Sequence, residues 1–263
     1  MGKIFVVLNS KGGVGKTLTT LSLCQVASLK GLDFEYIEID NSNNTSISLS
    51  NSKTFKNKML SVATLKAQEE LLKACWKALK QGKLIFIDVG GGSDTVEVIN
   101  LIKDEFSHND ICYLLPFENS LKQMGNLLNT YSLIDNPEKT YLIKNKVLRG
   151  KEKDGFRFFE GDKALGVKSI RRELNSPNKV FEIYLSDSQQ LPEVTQECML
   201  DLASLAMQYT RVEADRNFTE SSKDMQEYVF MMQEYTKSEM CLKEITSIAE
   251  EFKELFEEEV PND

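Results

Sequence analysis

A glycine-rich turn near the N-terminus constrains the fold of this chain more than any other segment. It directly follows the apolar run at residues 4–8, and it reads Lys11, Gly12, Gly13, Val14, Gly15, Lys16 and Thr17. A strand that ends in such a turn and continues as a helix directs several backbone N–H groups, and the positive end of the helix, at one point where polyphosphate can bind. The segment therefore predicts a strand, a phosphate-binding loop and a helix in succession.

The residue types in this loop predict a role for each side chain. Glycines allow the backbone to curl without clashes of Cβ atoms. As in other Walker A loops, Lys16 is expected to reach the β and γ phosphates, and the Thr17 hydroxyl is expected to ligate Mg²⁺. The general pattern has glycine at position 10, where this chain has Ser10, and this chain carries an additional lysine, Lys11.

The order Lys-Gly-Gly-x-Gly-Lys-Thr resembles the deviant Walker A box of the ParA/MinD family, whose members are ATPases that position DNA or protein machinery. The resemblance implies that ATP joins two subunits face to face and that Lys11 reaches across to the nucleotide of the other subunit. It implies ATP and Mg²⁺ as cofactors. It also implies nucleotide contacts from Lys11, Gly12, Gly13, Val14, Gly15, Lys16, Thr17 and Leu18.

The second apolar strand, at residues 34–39, is followed directly by Asp40. In the ParA/MinD family an acid at this position lies near the attacking water, so the resemblance makes Lys11, Lys16 and Asp40 the catalytic residues. The carboxyl end of a strand beside a nucleotide crevice suits that role. The alternative is that Asp40 only caps a turn.

The apolar run at residues 84–87 ends in Asp88, which is the Walker B arrangement. Mg²⁺ prefers oxygen ligands and keeps several waters, so Thr17 together with Asp88, acting through water, is a sufficient set of protein ligands. Residues 90–92 are glycines where partition ATPases commonly have Thr-Pro-Pro. A backbone N–H of Gly90 or Gly91 is expected to approach the γ-phosphate.

The fifth apolar run leads into Asn145. In related P-loop ATPases and GTPases an asparagine after this strand recognises the base, so the resemblance makes Asn145 a candidate for adenine recognition. The alternative is an ordinary turn residue at the end of a strand.

Short apolar runs alternate with helical stretches along the first three quarters of the chain, which predicts a doubly wound, mostly parallel α/β sheet with helices on both faces. The runs lie at residues 4–8, 34–39, 84–87, 111–115, 141–143 and 180–185. Helices are predicted at 17–30 and 62–80, each closed by a glycine. From residue 192 the pattern is helical, with a break near 217–222.

The predicted organisation is an ATPase domain over residues 1–215 and an acidic helical extension, packed on it, over 216–263. Apolar residues recur at helical spacing between residues 225 and 256. Such a stripe is typical of a helix packed on its own domain, and the alternative is a surface for a partner or a dimer. The final residues are amphipathic but strongly acidic, so anionic lipid would repel them and membrane docking is not expected.

Composition limits the classes of function. The 263 residues carry a net charge of -8, which argues against a protein that coats nucleic acid with its whole surface. The five cysteines have no Cys-x-x-Cys spacing and are typical of a reducing cytosol. The N-terminal apolar run is too short for a signal peptide. A cytoplasmic protein is therefore expected, associated with the nucleoid if it binds DNA.

Two segments depart from the acidic average. Residues 144–179 hold eleven Lys/Arg against five Asp/Glu, and residues 51–83 hold eight against two, so each has a net charge of +6. Clustered cations are what DNA-backbone contact requires; the alternative is ordinary solvated helix faces. The candidate DNA contacts are Arg149, Arg157, Lys168, Arg171 and Arg172, with possible support from Lys73, Lys77 and Lys80.

Together these features predict an ATPase of the DNA-partition branch, for plasmid or chromosome. The resemblance implies an ATP-dependent homodimer that binds DNA nonspecifically and binds a cargo-adaptor or centromere-binding protein. Without that partner it would hydrolyse ATP only weakly. A positioning or adaptor ATPase that carries a protein cargo, in conjugation or polar localisation, is the first alternative. A metabolic ATP-dependent ligase on a related fold is the second, and Lys11 argues against it.

Overall fold

The computed structural model describes residues 2–39, 49–149, 154–174 and 179–257. Within these ranges, seven strands form one sheet in which every pairing is parallel, in the order β3-β2-β4-β1-β5-β6-β7. The strands are β1 Lys3–Val7, β2 Phe34–Ile39, β3 Asn57–Leu60, β4 Leu84–Val89, β5 Ile111–Phe117, β6 Thr140–Val147 and β7 Val180–Tyr184. The predicted doubly wound parallel sheet is confirmed.

The sequence did not predict strand β3. Its four residues include the polar Asn57 and Lys58, and none of the four is buried. The strand exists because its backbone pairs with residues 36–39 of β2 at the edge of the sheet. Only Leu60 of this edge strand packs against the core, so the strand carries no apolar run by which the sequence could predict it.

In the described part of the chain, six helices are longer than ten residues: α1 Lys16–Leu29, α2 Leu65–Lys80, α3 Ser93–Glu105, α4 Leu121–Leu133, α10 Arg211–Ser221 and α11 Met225–Glu251. The short helices are α5 Arg157–Glu160, α6 Ile170–Glu173, α7 Leu191–Thr195, α8 Met199–Leu202, α9 Ser204–Gln208 and α12 Lys253–Glu257. Short 3-10 turns lie at His108–Asp110, Pro137–Lys139, Asp154–Phe156 and Asp187–Gln190. None of the described helices combines the length and the apolar character that crossing a membrane requires.

Helices cover both faces of the sheet, which is why its central strands are continuously apolar. One face packs α2, α3 and α4 onto the strands, and the other packs α1, α8 and α11. All five cysteines are buried free thiols. The two cores hold the carboxyl ends of the strands in fixed register, and those ends carry the phosphate loop.

Local signals set the ends of the helices. Helix α2 begins at Leu65 rather than at residue 62, because the Thr64 side chain caps it by accepting a hydrogen bond from the backbone N–H of Ala67. The predicted break in the C-terminal helices lies at residues 222–224, where Asp224 caps α11. The division of the chain at residue 215 stays a prediction; that residue lies inside α10.

Candidate functional site: a phosphate-binding cavity

The phosphate loop lies at the carboxyl edge of the sheet, between strands whose connections leave in opposite directions. Helix α1 connects β1 to β2 over one face of the sheet. Helix α3 connects β4 to β5, which lies on the other side of β1, and it crosses the opposite face. Open parallel sheets bind ligands at such a switch point. The loop therefore stands where this architecture places a ligand.

Two glycines give the loop its shape. Gly13 has a φ of 78° and Gly15 a φ of 93°, both in the left-handed region that disfavours side chains. Gly15 is also tightly enclosed: a Cβ atom there would lie 1.8 Å from Nδ2 of Asn145. At Gly12 nothing lies within 4 Å of the corresponding position. The glycine at position 15 is thus required by both conformation and space, and the one at position 12 by neither.

A cavity of about 500 Å³ opens above the loop. Its wall includes the predicted residues Gly12, Gly13, Gly15, Lys16, Thr17, Leu18 and Asp88. Lys16 is nearly buried, and its ammonium donates to the backbone carbonyl of Lys11 at 3.1 Å. The side chain of Lys16 therefore crosses the inside of the loop. Among the described residues, Val14 is buried away from the cavity, and Lys11 is exposed and does not line it.

Two carboxylates lie beside each other at the base of the cavity. Glu38 and Asp88 are partners in the β2–β4 register, and their exposed fractions are 5% and 3%. Asn57 donates to Glu38 at 2.7 Å. Burial, and then the nearby charges of Asp88 and Glu38, raise the pKa of Tyr36 well above its usual range. This concentration of negative charge, next to the Thr17 hydroxyl, fits the oxygen ligands that Mg²⁺ prefers.

Asp40 lies outside the described residues. Just before it, the carbonyl of Ile39 accepts a hydrogen bond from the backbone N–H of Gly90 at 2.5 Å. The N–H of Gly92 donates to the carbonyl of Ser10 at 2.9 Å, and a Cβ at Gly91 would lie 3.3 Å from the same oxygen. The glycine segment after β4 thus contacts both β2 and the phosphate loop. With the Gly90 N–H engaged, the Gly91 N–H is the better placed of the two for a γ-phosphate.

The structure places Asn145 behind the phosphate loop rather than in the cavity wall. The side chain is 1% exposed, and its Nδ2 donates to the carbonyl of Val14 at 3.0 Å. Its Oδ1 accepts from the backbone N–H of Lys146, which has a left-handed φ of 57°. These contacts tie the backbone just before Gly15 to the end of β6. Recognition of adenine by Asn145 stays a prediction.

Sequence reasoning missed residues that are far from the loop in the chain. Glu193, in α7, lines the cavity. Asp201, in α8, accepts hydrogen bonds from Ser52 at 2.6 Å and Thr54 at 2.7 Å, and so ties down the segment that follows residues 40–48. Burial by itself raises the pKa of Asp201, but these hydrogen bonds lower it below the usual range. No local motif marks either carboxylate.

The five predicted DNA contacts are all exposed, but three of them have partners within the chain. Arg149 lies over the ring of Tyr184, Arg157 is 3.8 Å from a carboxylate oxygen of Asp162, and Arg171 is 3.4 Å from one of Glu160. Within the described part of the chain, Lys168 and Arg172 form no ion pair. The two basic clusters lie on different halves of the sheet, one on β3 and α2, the other on β6, α5, α6 and β7.

The fold and the cavity define a P-loop nucleotide-binding protein with an open parallel sheet. Residues 5–256 match the family described as the CobQ/CobB/MinD/ParA nucleotide binding domain. Because the match spans nearly the whole chain, the protein belongs to this family, and the predicted ParA/MinD membership is confirmed. Nothing among the curated proteins matches the chain.

Solved structures show the same fold at low sequence identity. The MinC:MinD cell division complex of Aquifex aeolicus aligns with a TM-score of 0.55 at 15% identity, covering 85% of this chain and 98% of that chain. The nucleotide-binding protein of Archaeoglobus fulgidus in complex with ADP gives 0.50 at 15%, with 74% and 86% covered. Apo McdA of Cyanothece gives 0.50 at 16%, with 74% and 91% covered.

Proposed function

We propose that the chain is an Mg²⁺-dependent ATPase that dimerises when ATP binds and uses this switch to position a cargo. The observation that carries the proposal is the convergence of Lys16, Thr17 and Asp88 on one cavity. These are a cation, a hydroxyl and a carboxylate, which together suit the phosphates and the metal of a nucleoside triphosphate.

Each residue contributes by position and charge. Lys16 neutralises charge on the β and γ phosphates, and the backbone N–H groups of the loop bind the same oxygens. Thr17 and Asp88, the latter through water, hold Mg²⁺, which would supply further positive charge. Asp40 orients the attacking water, and Lys11 completes the site of the second subunit. Catalysis is then positioning and electrostatic stabilisation, without a covalent step.

ATP-dependent dimerisation of the Lys11→Ala variant tests this switch. Light scattering should show that the wild type changes from monomer to dimer with ATP and Mg²⁺ but not with ADP. Lys11→Ala should bind ATP yet remain a monomer and lose ATP turnover, whereas Lys30→Ala, an exposed lysine at the end of α1, should behave as wild type. A nucleotide-dependent dimer of Lys11→Ala would refute the role of Lys11.

DNA partition is the cargo role that the exposed cations favour. Lys168 and Arg172 are exposed, and dimerisation would place two such pairs on one particle, which raises affinity without new contacts. If phosphates are the ligand, binding to unrelated duplexes falls with salt at a slope of about -0.9 per neutralised phosphate.

Gel-shift assays on two unrelated duplexes, with ATP and with ADP, test the DNA proposal. Lys168→Glu with Arg172→Glu should weaken ATP-dependent binding equally on both sequences. The charge-matched pair Lys30→Glu with Lys243→Glu should leave it unchanged. If the wild type with ATP has no DNA affinity even at low salt, the partition role fails.

Transport of a protein cargo is the second candidate, and two observations favour it. Arg157 and Arg171 are paired with carboxylates of the same chain, which reduces their availability to DNA. In addition, helix α11 exposes an apolar face, described below. ATP-dependent binding of a protein partner, in the absence of DNA affinity, would support this candidate over partition.

A further inference from the structure

We propose that the solvent-facing side of the first half of α11 binds an amphipathic, lysine- and arginine-rich helix of a partner protein. The inference rests on the cargo-carrying function proposed above, because it names the class of partner. The residues concerned are Met225, Gln226, Val229, Phe230, Gln233, Thr236, Lys237 and Met240, and we call them the outer α11 face.

Only one side of this half of α11 is covered. The second half of the helix is embedded in the main core through Cys241, Ile245 and Ile248. The first half packs on α9 and α10 around a separate small cluster that includes Phe218 and Tyr235. Ser238 joins this inner side to α9 by accepting a hydrogen bond from the backbone N–H of Ala206 at 3.0 Å. The opposite side of the same turns is left to solvent.

The composition of that side is unusual for an exposed helix face. Met225 is 72% exposed and Phe230 is 61% exposed, with Val229 and Met240 above 40%. At 3.6 residues per turn, all eight residues of the face fall within an arc of about 140°. Seven of the eight have no charge, and the eighth, Lys237, pairs with Glu234. In a chain with 27% charged residues, an exposed helix face with four large apolar residues and a single charged one indicates an interaction surface.

The charge around the outer α11 face indicates which class of partner binds there. Residues 211–240, which include the face and the helix α10 packed behind it, hold seven Asp/Glu against four Lys/Arg, a net charge of -3. By helical spacing, Glu227 and Glu234 border the face on one side and Glu239 on the other; each also pairs with a Lys or Arg of the chain, so a partner meets the net charge of the region. A second copy of the chain would bring like charges together, and anionic lipid and nucleic acid would be repelled. A partner helix with an apolar stripe and basic flanks matches both features of the surface.

The face also sets the length of the occupant. Residues 225–240 span about 24 Å at 1.5 Å per residue, which corresponds to a partner helix of about four turns. Methionines at both ends of the face adapt to irregular apolar surfaces. Phe230 and Val229 lie near the middle, where a large apolar side chain contributes most to binding.

A synthetic peptide supplies the probe. An 18-residue leucine/lysine peptide with helical spacing of its leucines should bind the full-length protein, as measured by fluorescence anisotropy without nucleotide. A peptide of identical composition in scrambled order, which has no apolar stripe, should bind at least tenfold more weakly. A leucine/glutamate peptide with the helical pattern should also bind at least tenfold more weakly.

The matched variants separate docking from charge attraction. Val229→Asp with Phe230→Asp adds two negative charges, so attraction alone would tighten binding of the basic peptide, whereas docking on the apolar face predicts at least a tenfold loss. Asn217→Asp with Thr219→Asp adds the same charge on the exposed side of α10 and should retain binding. Circular dichroism melts check that both pairs fold.

Three outcomes would overturn the proposal: unchanged or tighter peptide binding by the α11 variant, equal binding of the scrambled peptide, or a wild-type dimer without nucleotide that the α11 variant abolishes. The last result would assign the face to a second copy. ATP affinity is measured on the same samples. If the wild type does not bind ATP, the proposed function is refuted. Peptide binding separately tests whether the outer α11 face is a docking surface.

Discussion

Two buried lysines of this protein are used in opposite ways. Lys16, in the phosphate loop, is 9% exposed, and its ammonium lies 3.1 Å from a main-chain carbonyl inside a cavity. Lys144, on β6, is 5% exposed, and its ammonium lies between the carboxylates of Glu160 at 2.9 Å and Glu182 at 3.1 Å. Lys16 lines an open cavity of about 500 Å³ that can admit a ligand, whereas Lys144 is enclosed by two carboxylates.

The comparison explains why counting charges along the sequence is a weak guide to function. Lys144 contributed to the +6 balance of residues 144–179, yet folding surrounds it with carboxylates and with the rings of Phe156 and Phe159. The two carboxylates offset the desolvation cost of burying the Lys144 ammonium. The Lys16 ammonium instead lies at the wall of a cavity that a ligand can enter. The predictions below test this difference, from the largest expected effect to the smallest.

Replacing Lys144 should damage stability without damaging the nucleotide site. Lys144→Met removes the ammonium that the partly buried carboxylates of Glu160 and Glu182 share, while Glu160 keeps Arg171 at 3.4 Å, so we expect a cost of about 1.5–3 kcal/mol, the range for hydrogen bonds to charged groups. Urea denaturation measures the loss, and ATP affinity at a temperature where the variant is folded should stay within twofold of wild type. A stability change below about 1 kcal/mol would show that the pair is solvated.

Replacing Lys16 should have the reverse effect. Lys16→Ala removes a charge-assisted hydrogen bond to phosphate, which is worth about 1.5–3 kcal/mol and lowers ATP affinity about 10- to 100-fold. The melting temperature without nucleotide should change little. Calorimetric titration measures the affinity, with Lys30→Ala as the control; equal affinities of the two variants would contradict the assignment.

The phosphate loop should tolerate alanine at one glycine and not at another. Gly15→Ala forces a side chain into a φ of 93° and onto Nδ2 of Asn145, and strain of this kind costs about 1–3 kcal/mol. Both stability and ATP affinity should fall. Gly12→Ala meets open space and should be close to wild type in both measurements. Similar losses in the two variants would mean that the loop changes shape when nucleotide binds.

The smallest expected effect concerns Glu251 of α11, which accepts a hydrogen bond from the backbone N–H of Glu182 on the edge strand β7. Burial, partly opposed by that hydrogen bond, raises the pKa of Glu251 above its usual value of 4.5. A carboxyl group whose pKa is higher in the folded than in the unfolded state stabilises the fold at pH values below about 4.5. That stabilisation is lost as the pH rises through the pKa of the folded state. Glu251→Gln should therefore be slightly more stable than wild type at pH 7 and equal to it near pH 4, as measured by thermal melts at both pH values.

The motif predicted where the cavity lies, because the residues of a phosphate loop are adjacent in the sequence. Its glycine positions, Lys16 and Thr17 lie within seven residues, and Asp88 ends an apolar strand whose place beside β1 follows from the fold. The contacts of Asn145 with Val14 and of Asp201 with Ser52 join segments more than 130 residues apart. They depend on strand order and on the docking of short helices, which no local pattern encodes.

The parts of the fold that the sequence predicted poorly also depend on contacts that no local pattern encodes. Strand β3 forms through backbone pairing at the sheet edge, so its polar side chains carried no signal. The pairing of Arg157 and Arg171 with carboxylates depends on how residues 157–171 fold back on themselves. The apolar stripe predicted between residues 225 and 256 did not mark the outer α11 face, because Met225, Val229 and Phe230 lie on the side of the helix opposite the covered cluster.

Titration of ATP with Mg²⁺ into three proteins side by side tests the central claim most directly. Wild type and Lys144→Met should each bind about one nucleotide per chain with similar affinity, and Lys16→Ala should bind about 10- to 100-fold more weakly. Absence of binding to wild type, or equal affinity of wild type and Lys16→Ala, would contradict the account that the cavity between β1, β2 and β4 is the nucleotide site.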